Sequence, residues 1–274
     1  MNLLKKCYEK NGILIAAHRG TNGGNILQNT SKAYLNSIRH KADMFEVDVI
    51  RSKDGKFFAF HDGQEPLVFG EKIDIRTLTS DEIEKKTCYN SLNEPILQKV
   101  EKISDILEKF EGKSLINIDR SWFYWDTFLE KLKTYSSLDQ ILLKSPVKIE
   151  LLEILRDSGL DVMYMPIIKT IDDLETVLSF EGIKTVAAEL VFEDLDNPIV
   201  SEEVINRLHD KGLLIWANAL TLSDSIILSA KIDDDSAIEG NGESWGKLVS
   251  MGFDIIQTDW PLLLYYYLTE NNKK

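Results

Sequence analysis

Cysteine is almost absent from this chain. Its 274 residues include two, Cys7 and Cys88, too few and too far apart for a disulfide framework or a thiolate metal site. Such a chain suits a reducing compartment. Positive charge is short as well: 32 Lys and Arg against 45 Asp and Glu leave a net charge of -13. A nucleic-acid duplex or an anionic bilayer would meet net repulsion, so neither is expected as a partner. No apolar run approaches the roughly 18 residues of a membrane span. The opening "MNLLKKCYEKNG" places Lys5, Lys6 and Glu9 where a signal peptide would carry its apolar core. The expectation is a cytoplasmic protein without stable membrane insertion, in which Tyr265, Tyr266 and Tyr267 form one side of a closing helix. Internal repeats and low-complexity segments are also missing.

What is present is a rhythm. Short β-like runs recur at "ILIAAH" (13–18), "MFEVDVI" (44–50), "FFAFH" (57–61), "LINID" (115–119), "QILLKS" (140–145), "DVMYMPII" (161–168), "TVAAEL" (185–190), "LLIWANA" (213–219) and "DIIQTD" (254–259). Helical patterns lie between most of them. Thr30 is a candidate N-cap for "SKAYLNSIRH", "PILQKVEKISDILEKF" repeats apolar residues at helical spacing, and "SEEVINRLHDKG" offers Ser201 as cap and Gly212 as stop. Strand alternating with helix predicts a parallel α/β fold. Nine strands are one too many for an eightfold barrel. The link "RSKDGK" is too short for a parallel crossover, so "FFAFH" must return antiparallel on the strand before it. The expected architecture is a single TIM (β/α)8 barrel over 1–274, with an insertion at about 57–93 after the second barrel strand. An open dinucleotide-binding sheet is disfavoured, because "HRGTNGGN" leads with His-Arg and is no glycine-rich phosphate loop.

Polar residues collect at the C-terminal ends of these strands, where barrel active sites are built: His18, Asp48, Asp119, Lys144, Glu189, Asn218 and Asp259. Glu46 and Asp48 stand two apart in one strand and therefore leave the same face. They point to the barrel axis if Phe45, Val47 and Val49 pack outward. Buried together they repel unless a cation lies between them. Asp119 can add a third oxygen, and an all-carboxylate set selects a hard cation, Mg²⁺ or Ca²⁺, over zinc. Solvated carboxylates at a strand mouth are the plainer alternative. Of four histidines, His40 and His209 fall near helix C-termini, where the helix dipole accounts for them. His18 and His61 fall at strand ends beside the carboxylates and offer a proton acceptor and a proton donor. Arg19 adds a forked donor shaped for phosphate oxygens.

"AAHRG", the Asn29-Thr30 pair, "ADMFEVDVIRSKDG" and "FHDG" together resemble the glycerophosphodiester phosphodiesterase family. The family pattern runs His-Arg-Gly, Glu-Asn-Thr, Glu-x-Asp, then His-Asp. The likeness continues through "IWAN" (215–218) and "DIIQTDWP" (254–261), and 12 residues separate Asp48 from His61, enough for the hairpin. The resemblance implies a TIM-barrel hydrolase that cleaves small glycerophosphodiesters to glycerol 3-phosphate and an alcohol. It places the catalytic histidines on His18 and His61 and one divalent cation on Glu46, Asp48 and a third acidic residue. The family reads Glu-x-Lys there; this chain has "NIDRSW", with Asp119 as candidate ligand and Ser121 in place of the lysine. Arg120 points away if the strand continues regularly, and Lys144 could restore the missing charge. Gln28 replaces the Glu of Glu-Asn-Thr.

In the expected chemistry, the cation, Arg19 and Lys144 stabilise charge on the phosphate while one histidine takes and the other gives a proton. The nucleophile is water or the neighbouring glycerol hydroxyl. Glu189 binds glycerol hydroxyls or orients Lys144, Trp216 lines the mouth or packs the barrel, and Asn218 forms a hydrogen-bonding wall. The cluster Trp122, Tyr124 and Trp125 caps the alcohol side or closes its loop. Two rival readings remain: a phospholipase of the sphingomyelinase D or phosphatidylinositol type, which would show an apolar rim, and a non-catalytic phosphate-binding barrel.

Overall fold

The computed structural model describes residues 1–274 except Asp224. Eight parallel strands close into a barrel: β1 (Leu14–Ala17), β2 (Met44–Arg51), β3 (Leu115–Asp119), β4 (Ile141–Pro146), β5 (Met163–Ile168), β6 (Ala187–Leu190), β7 (Leu214–Asn218) and β8 (Ile255–Thr258). Pairing of β1 with both β8 and β2 completes the ring. The strand Phe57–Ala59 pairs antiparallel with β2, Val49 opposite Ala59, and stays outside the ring.

Strand alternation sorts the core into two faces. Phe45, Val47, Val49, Ile116 and Ile118 pack outward against the helices, as do Ile15, Ile215 and Ile256 on the other side. Leu14, Ala16, Met44, Leu115, Leu142 and Trp216 fill the interior. A helix at Leu3–Asn11, capped by the Asn2 side chain, inserts Leu4 into that interior group and so closes the N-terminal end of the barrel. The helix ends follow the capping residues. Thr30 accepts from the Ala33 N–H at the start of Ser31–Arg39, Ser201 from the Val204 N–H at the start of Glu202–Asp210, and Gly212 follows with φ 75°.

Two segments differ from the sequence expectation. The run 95–110 is not one helix: Pro95–Ile96 pairs with Cys88–Tyr89 in a small ribbon, and the helix covers only Ile103–Lys109. Tertiary contacts override the periodicity. Val100, with Ile96 beside it, packs into a separate core of Leu27, Ile50, Phe58, Phe69 and Ile75, and the Glu101 carboxylate accepts from the Ser31 N–H at 3.0 Å. The inserted region is accordingly more than a polar loop; it carries a short helix at Ser80–Lys85 and its own apolar centre.

The lower end of β8 is fixed by a buried carboxylate. Asp254 accepts from the Ile215 N–H at 2.8 Å and lies 2.9 Å from His209 Nε2. Asp254→Ala leaves that buried N–H unpartnered and should cost about 2 kcal/mol of stability. Urea unfolding of the variant checks this, with the C-terminal face of the barrel expected to be unaffected.

Candidate active site

At the C-terminal face, Glu46 and Asp48 point inward from β2 and are buried, and Asp119 ends β3 directly beside them, paired in register with Asp48. One oxygen from each of the three carboxylates lies within 4.8 Å of the others. Glu46 Oε2 accepts from the Arg19 backbone N–H at 2.8 Å, whereas Glu46 Oε1 is buried with no hydrogen-bond partner among the described residues. An orphaned carboxylate oxygen beside two further carboxylates fits the donor set that a hard divalent cation takes.

The charge count supports this. Glu46, Asp48, Asp119 and Glu189 converge inside the barrel, and the cations paired with them are Arg19, 3.1 Å from Asp48, and Lys144, 2.7 Å from Asp119 and 3.1 Å from Glu189. Two negative charges are left over. Burial pushes the Glu46 carboxyl well above its ordinary value, and Asp48 and Asp119 add to this against Lys144 and Arg19. Burial alone would also raise Asp48, but Arg19, His61 and the Asn29 amide outweigh it and hold that carboxyl below its ordinary value. Burial disfavours the Lys144 ammonium, yet Asp119, Glu189 and Glu46 more than compensate and its pKa is raised.

The loop after β1 is built for this contact. Arg19 and Gly20 both adopt positive φ, 52° and 74°. A Cβ on Gly20 would fall 2.7 Å from the Ala33 Cβ, so the tight approach to the helix behind requires glycine. The turn brings the Arg19 N–H to Glu46 and its guanidinium to Asp48 and, at 3.3 Å, to Gln28. Gln28 passes its amide on to Gln64 at 3.1 Å, a contact with the inserted segment. Asn29 donates to Asp48 at 2.9 Å and accepts from the Tyr34 hydroxyl at 3.1 Å.

The two histidines both act on the Asp48 carboxyl and stand on different supports. His18 Nδ1 lies 2.9 Å from Asp259 Oδ1, and since a carboxylate only accepts, Nδ1 carries the proton and Nε2 is free. His61 Nδ1 lies 2.6 Å from the Asp62 backbone carbonyl, with the same consequence. Asp62 is held by Arg120 at 2.5 Å and Arg76 at 3.2 Å. Arg120 therefore does not point away. The strand ends at Asp119, and Arg120 takes φ 57°, which swings its side chain toward the His61 turn. Ser121 is buried and accepts from the Trp125 indole N–H at 3.1 Å, so a lysine there would face the core.

The remaining candidates lie deeper than the sequence suggests. Lys144, Glu189, Trp216 and Asn218 are all buried and joined: Trp216 Nε1 donates to Asn218 at 2.8 Å and Asn218 donates to Glu189 at 2.7 Å. Trp216 packs with Leu214 and Met165 inside the barrel and is not on the mouth. Trp125 is a core residue, while Phe123 is 58% exposed. Sequence reasoning missed Asp259 as the partner of His18, and Arg120 and Arg76 as the holders of Asp62. The only signal was the "TDWP" turn; Arg76 comes from the insertion and its position was not readable. An open cleft of about 900 Å³ begins at His18 and Arg19 and runs outward between Gln28 and Gln64 on one side and Leu222, Trp260 and Leu263 on the other.

Comparison with known proteins gives the same direction. A family model described as a domain of unknown function matches residues 164–268. The glycerophosphodiester phosphodiesterase GDPD6 of Arabidopsis thaliana is 44% identical over 46 residues, which are 17% of this chain and 12% of that protein's length. Among solved structures, a glycerophosphoryl diester phosphodiesterase from Parabacteroides distasonis superposes with a TM-score of 0.75 at 16% identity, covering 95% of this chain and 87% of the other. The enzyme from Thermotoga maritima gives 0.66 at 21% identity, over 93% and 98%. A phosphodiesterase from Oleispira antarctica, solved with the product sn-glycerol-3-phosphate, gives 0.66 at 14% identity, over 95% and 98%. The chain thus has the TIM-barrel fold of these phosphodiesterases over nearly its whole length.

The raised Glu46 carboxyl makes a test possible without any substrate. A carboxyl whose folded pKa is raised stabilises the fold below its ordinary value of 4.5, and that stabilisation is lost as pH rises through the raised value. The metal-free protein should therefore lose thermal stability as pH rises from the acid range toward neutrality. Glu46→Gln should flatten that slope, and Mg²⁺ or Ca²⁺ should restore stability to wild type but much less to the variant. Melting curves in EDTA and in each cation, across pH, decide it.

Proposed function

We propose that this protein is a metal-dependent glycerophosphodiester phosphodiesterase that releases sn-glycerol 3-phosphate and an alcohol. The observation that carries the reading is that His18 and His61, each held through Nδ1, both lie near enough to act on Asp48 of the three-carboxylate cluster. The Arabidopsis match and the product bound in the Oleispira neighbour support it.

Glu46, Asp48 and Asp119 would hold one divalent cation, Mg²⁺ or Ca²⁺. Such an ion supplies Lewis-acid stabilisation of charge on the phosphate. The chain's own residues do the rest. Arg19, paired in charge with Asp48 and donating to Gln28, lines the cleft and would bind phosphate oxygens there. His18 Nε2 takes the proton of the nucleophile, either water or the glycerol hydroxyl beside the phosphate. Asp259 behind it stabilises the imidazolium that forms. The nucleophile's new bond to phosphorus forms as the bond to the alcohol oxygen breaks, and His61, acting as the imidazolium with both ring nitrogens protonated, gives that oxygen its Nε2 proton; where the glycerol hydroxyl attacked, water then opens the cyclic phosphate. Lys144 holds Asp119, Glu189 pairs with Lys144 and accepts from Asn218, and Trp216 backs Lys144 at 5.8 Å.

A second reading has one observation in its favour. Leu222, Trp260 and Leu263 border the cleft while 43%, 49% and 45% exposed, an apolar edge suited to a lipid phosphodiester. No helix among the described residues is long and apolar enough to cross a membrane.

Glycerophosphocholine, glycerophosphoethanolamine and glycerophosphoinositol, assayed beside intact lipids, separate the two. Release of glycerol 3-phosphate from a soluble diester is the expected result; turnover of lipid alone selects the phospholipase reading. Activity should vanish in EDTA. His18→Ala and His61→Ala should each lower kcat/KM by about 10²-fold. A p-nitrophenyl diester, whose leaving group needs no proton, should largely spare His61→Ala and not His18→Ala. Equal losses of the two variants on both substrates would remove the division of roles.

A further inference from the structure

The histidine partner Asp259 is itself held by a second carboxylate that belongs to a different part of the chain. Asp234 opens the helix Asp234–Glu239, in the connection between β7 and β8, and is 2% exposed. Its Oδ2 accepts from the Asp259 backbone N–H at 2.7 Å. Its Oδ1 accepts from the Thr258 hydroxyl at 2.6 Å and from the Trp245 indole N–H at 3.0 Å. Thr258 Oγ1 in turn accepts from the Trp260 N–H at 2.9 Å, so the whole turn that carries Asp259 is tied to one side chain.

That arrangement is more than a strand end needs. A buried carboxyl with no paired cation is costly, and burial pushes Asp234 up to about 7, against the pull of the Thr258 and Asp259 donors. Three donors, from a hydroxyl, an indole and a backbone amide, converge on the two oxygens, which in the ionised carboxylate only accept. An asparagine there meets at most two of the three, because its amide nitrogen turns a donor toward a donor. The Asp259 carboxylate is 41% exposed and His18 is the only side chain within hydrogen-bonding distance of it among the described residues, so its own contacts do not fix its position. The backbone beneath it has to.

We propose that Asp234 is a positioning residue for His18: by fixing the Thr258–Asp259 turn it keeps the Asp259 carboxylate on His18 Nδ1–H and so keeps Nε2 as the proton-accepting nitrogen. The inference rests on the acid–base role given to His18 above. The contact also makes the connection after β7 part of the site, since Asp234 and Trp245 both come from it.

The test compares Asp234→Asn with Asp254→Asn, a buried carboxylate at the opposite end of the same strand that touches nothing catalytic. Both variants should lose melting temperature. Only Asp234→Asn should lower kcat, by about 10-fold with KM within about twofold of wild type, the scale of other outer-shell orienting residues. In combination with Asp259→Asn it should lower kcat no further, because the two act through one contact. Nitrogen-15 histidine NMR on the intact protein, with the His18 signals assigned through His18→Ala, should show protonated Nδ1 in wild type and a mixed tautomer in Asp234→Asn. Equal kcat losses in the two single variants, additive losses in the double variant, or an unchanged His18 tautomer would each overturn the proposal. If Asp234→Asn does not fold, Thr258→Val, which removes the hydroxyl's contacts with Asp234 and the Trp260 N–H and leaves the carboxyl, takes its place. Should the wild-type protein hydrolyse no diester, the reading of its function fails, while the NMR comparison still decides whether Asp234 holds His18.

Discussion

The interior of this barrel carries an unbalanced charge, and the functional face is organised around it. Glu46, Asp48, Asp119 and Glu189 converge where the paired cations are Arg19 and Lys144. In water such a surplus would be screened; inside a closed sheet it is not. Each neighbouring feature answers to it. The Arg19 backbone turns at positive φ to bring an amide to Glu46, Asn29 spends its amide on Asp48, and Lys144 is buried with its carboxylate partners close around it. The divalent cation proposed for this site would offset what remains.

The two imidazoles are arranged relative to that centre by unlike means. His18 sits directly after a barrel strand, with the Gly20 turn and the packed Ala33 behind it. Its ring is oriented by a carboxylate. His61 follows a strand outside the ring by two residues, its ring oriented by a neutral carbonyl, and the acidic residue next to it is shared between two arginines. A pair of like groups in unlike surroundings is the usual structural basis for dividing acid from base.

Much of this was legible in the sequence because the constraints are local. The period-two alternation of "MFEVDVI" put Glu46 and Asp48 on one face, and the shortness of "RSKDGK" forced the antiparallel return that delivers His61. Thr30 and Ser201 announced their helices through capping chemistry. What was hidden depends on distance along the chain. Arg76 reaches Asp62 through the fold of the insertion, and Asp234 meets Asp259 from 25 residues away. Arg120 misled because one left-handed residue reverses a side chain that regular strand geometry would send elsewhere. The run 95–110 misled because its apolar spacing serves a second, smaller core rather than a helix face.

The strand Phe57–Ala59 has a mechanical consequence. It pairs with β2 on one side, and on the other meets the chain through an Ala59 N–H to Glu101 carbonyl contact of 2.9 Å and an isolated bridge from Phe58 to Lys102. His18 shares the stiffness of a closed eight-stranded ring, whereas His61 rides on a three-residue edge backed by the insertion's own core. Changes in the insertion therefore reach the support of His61 directly, and the His18 side only through the Gln28–Gln64 contact. Rebuilding that peripheral module would move one imidazole relative to a ring that stays closed.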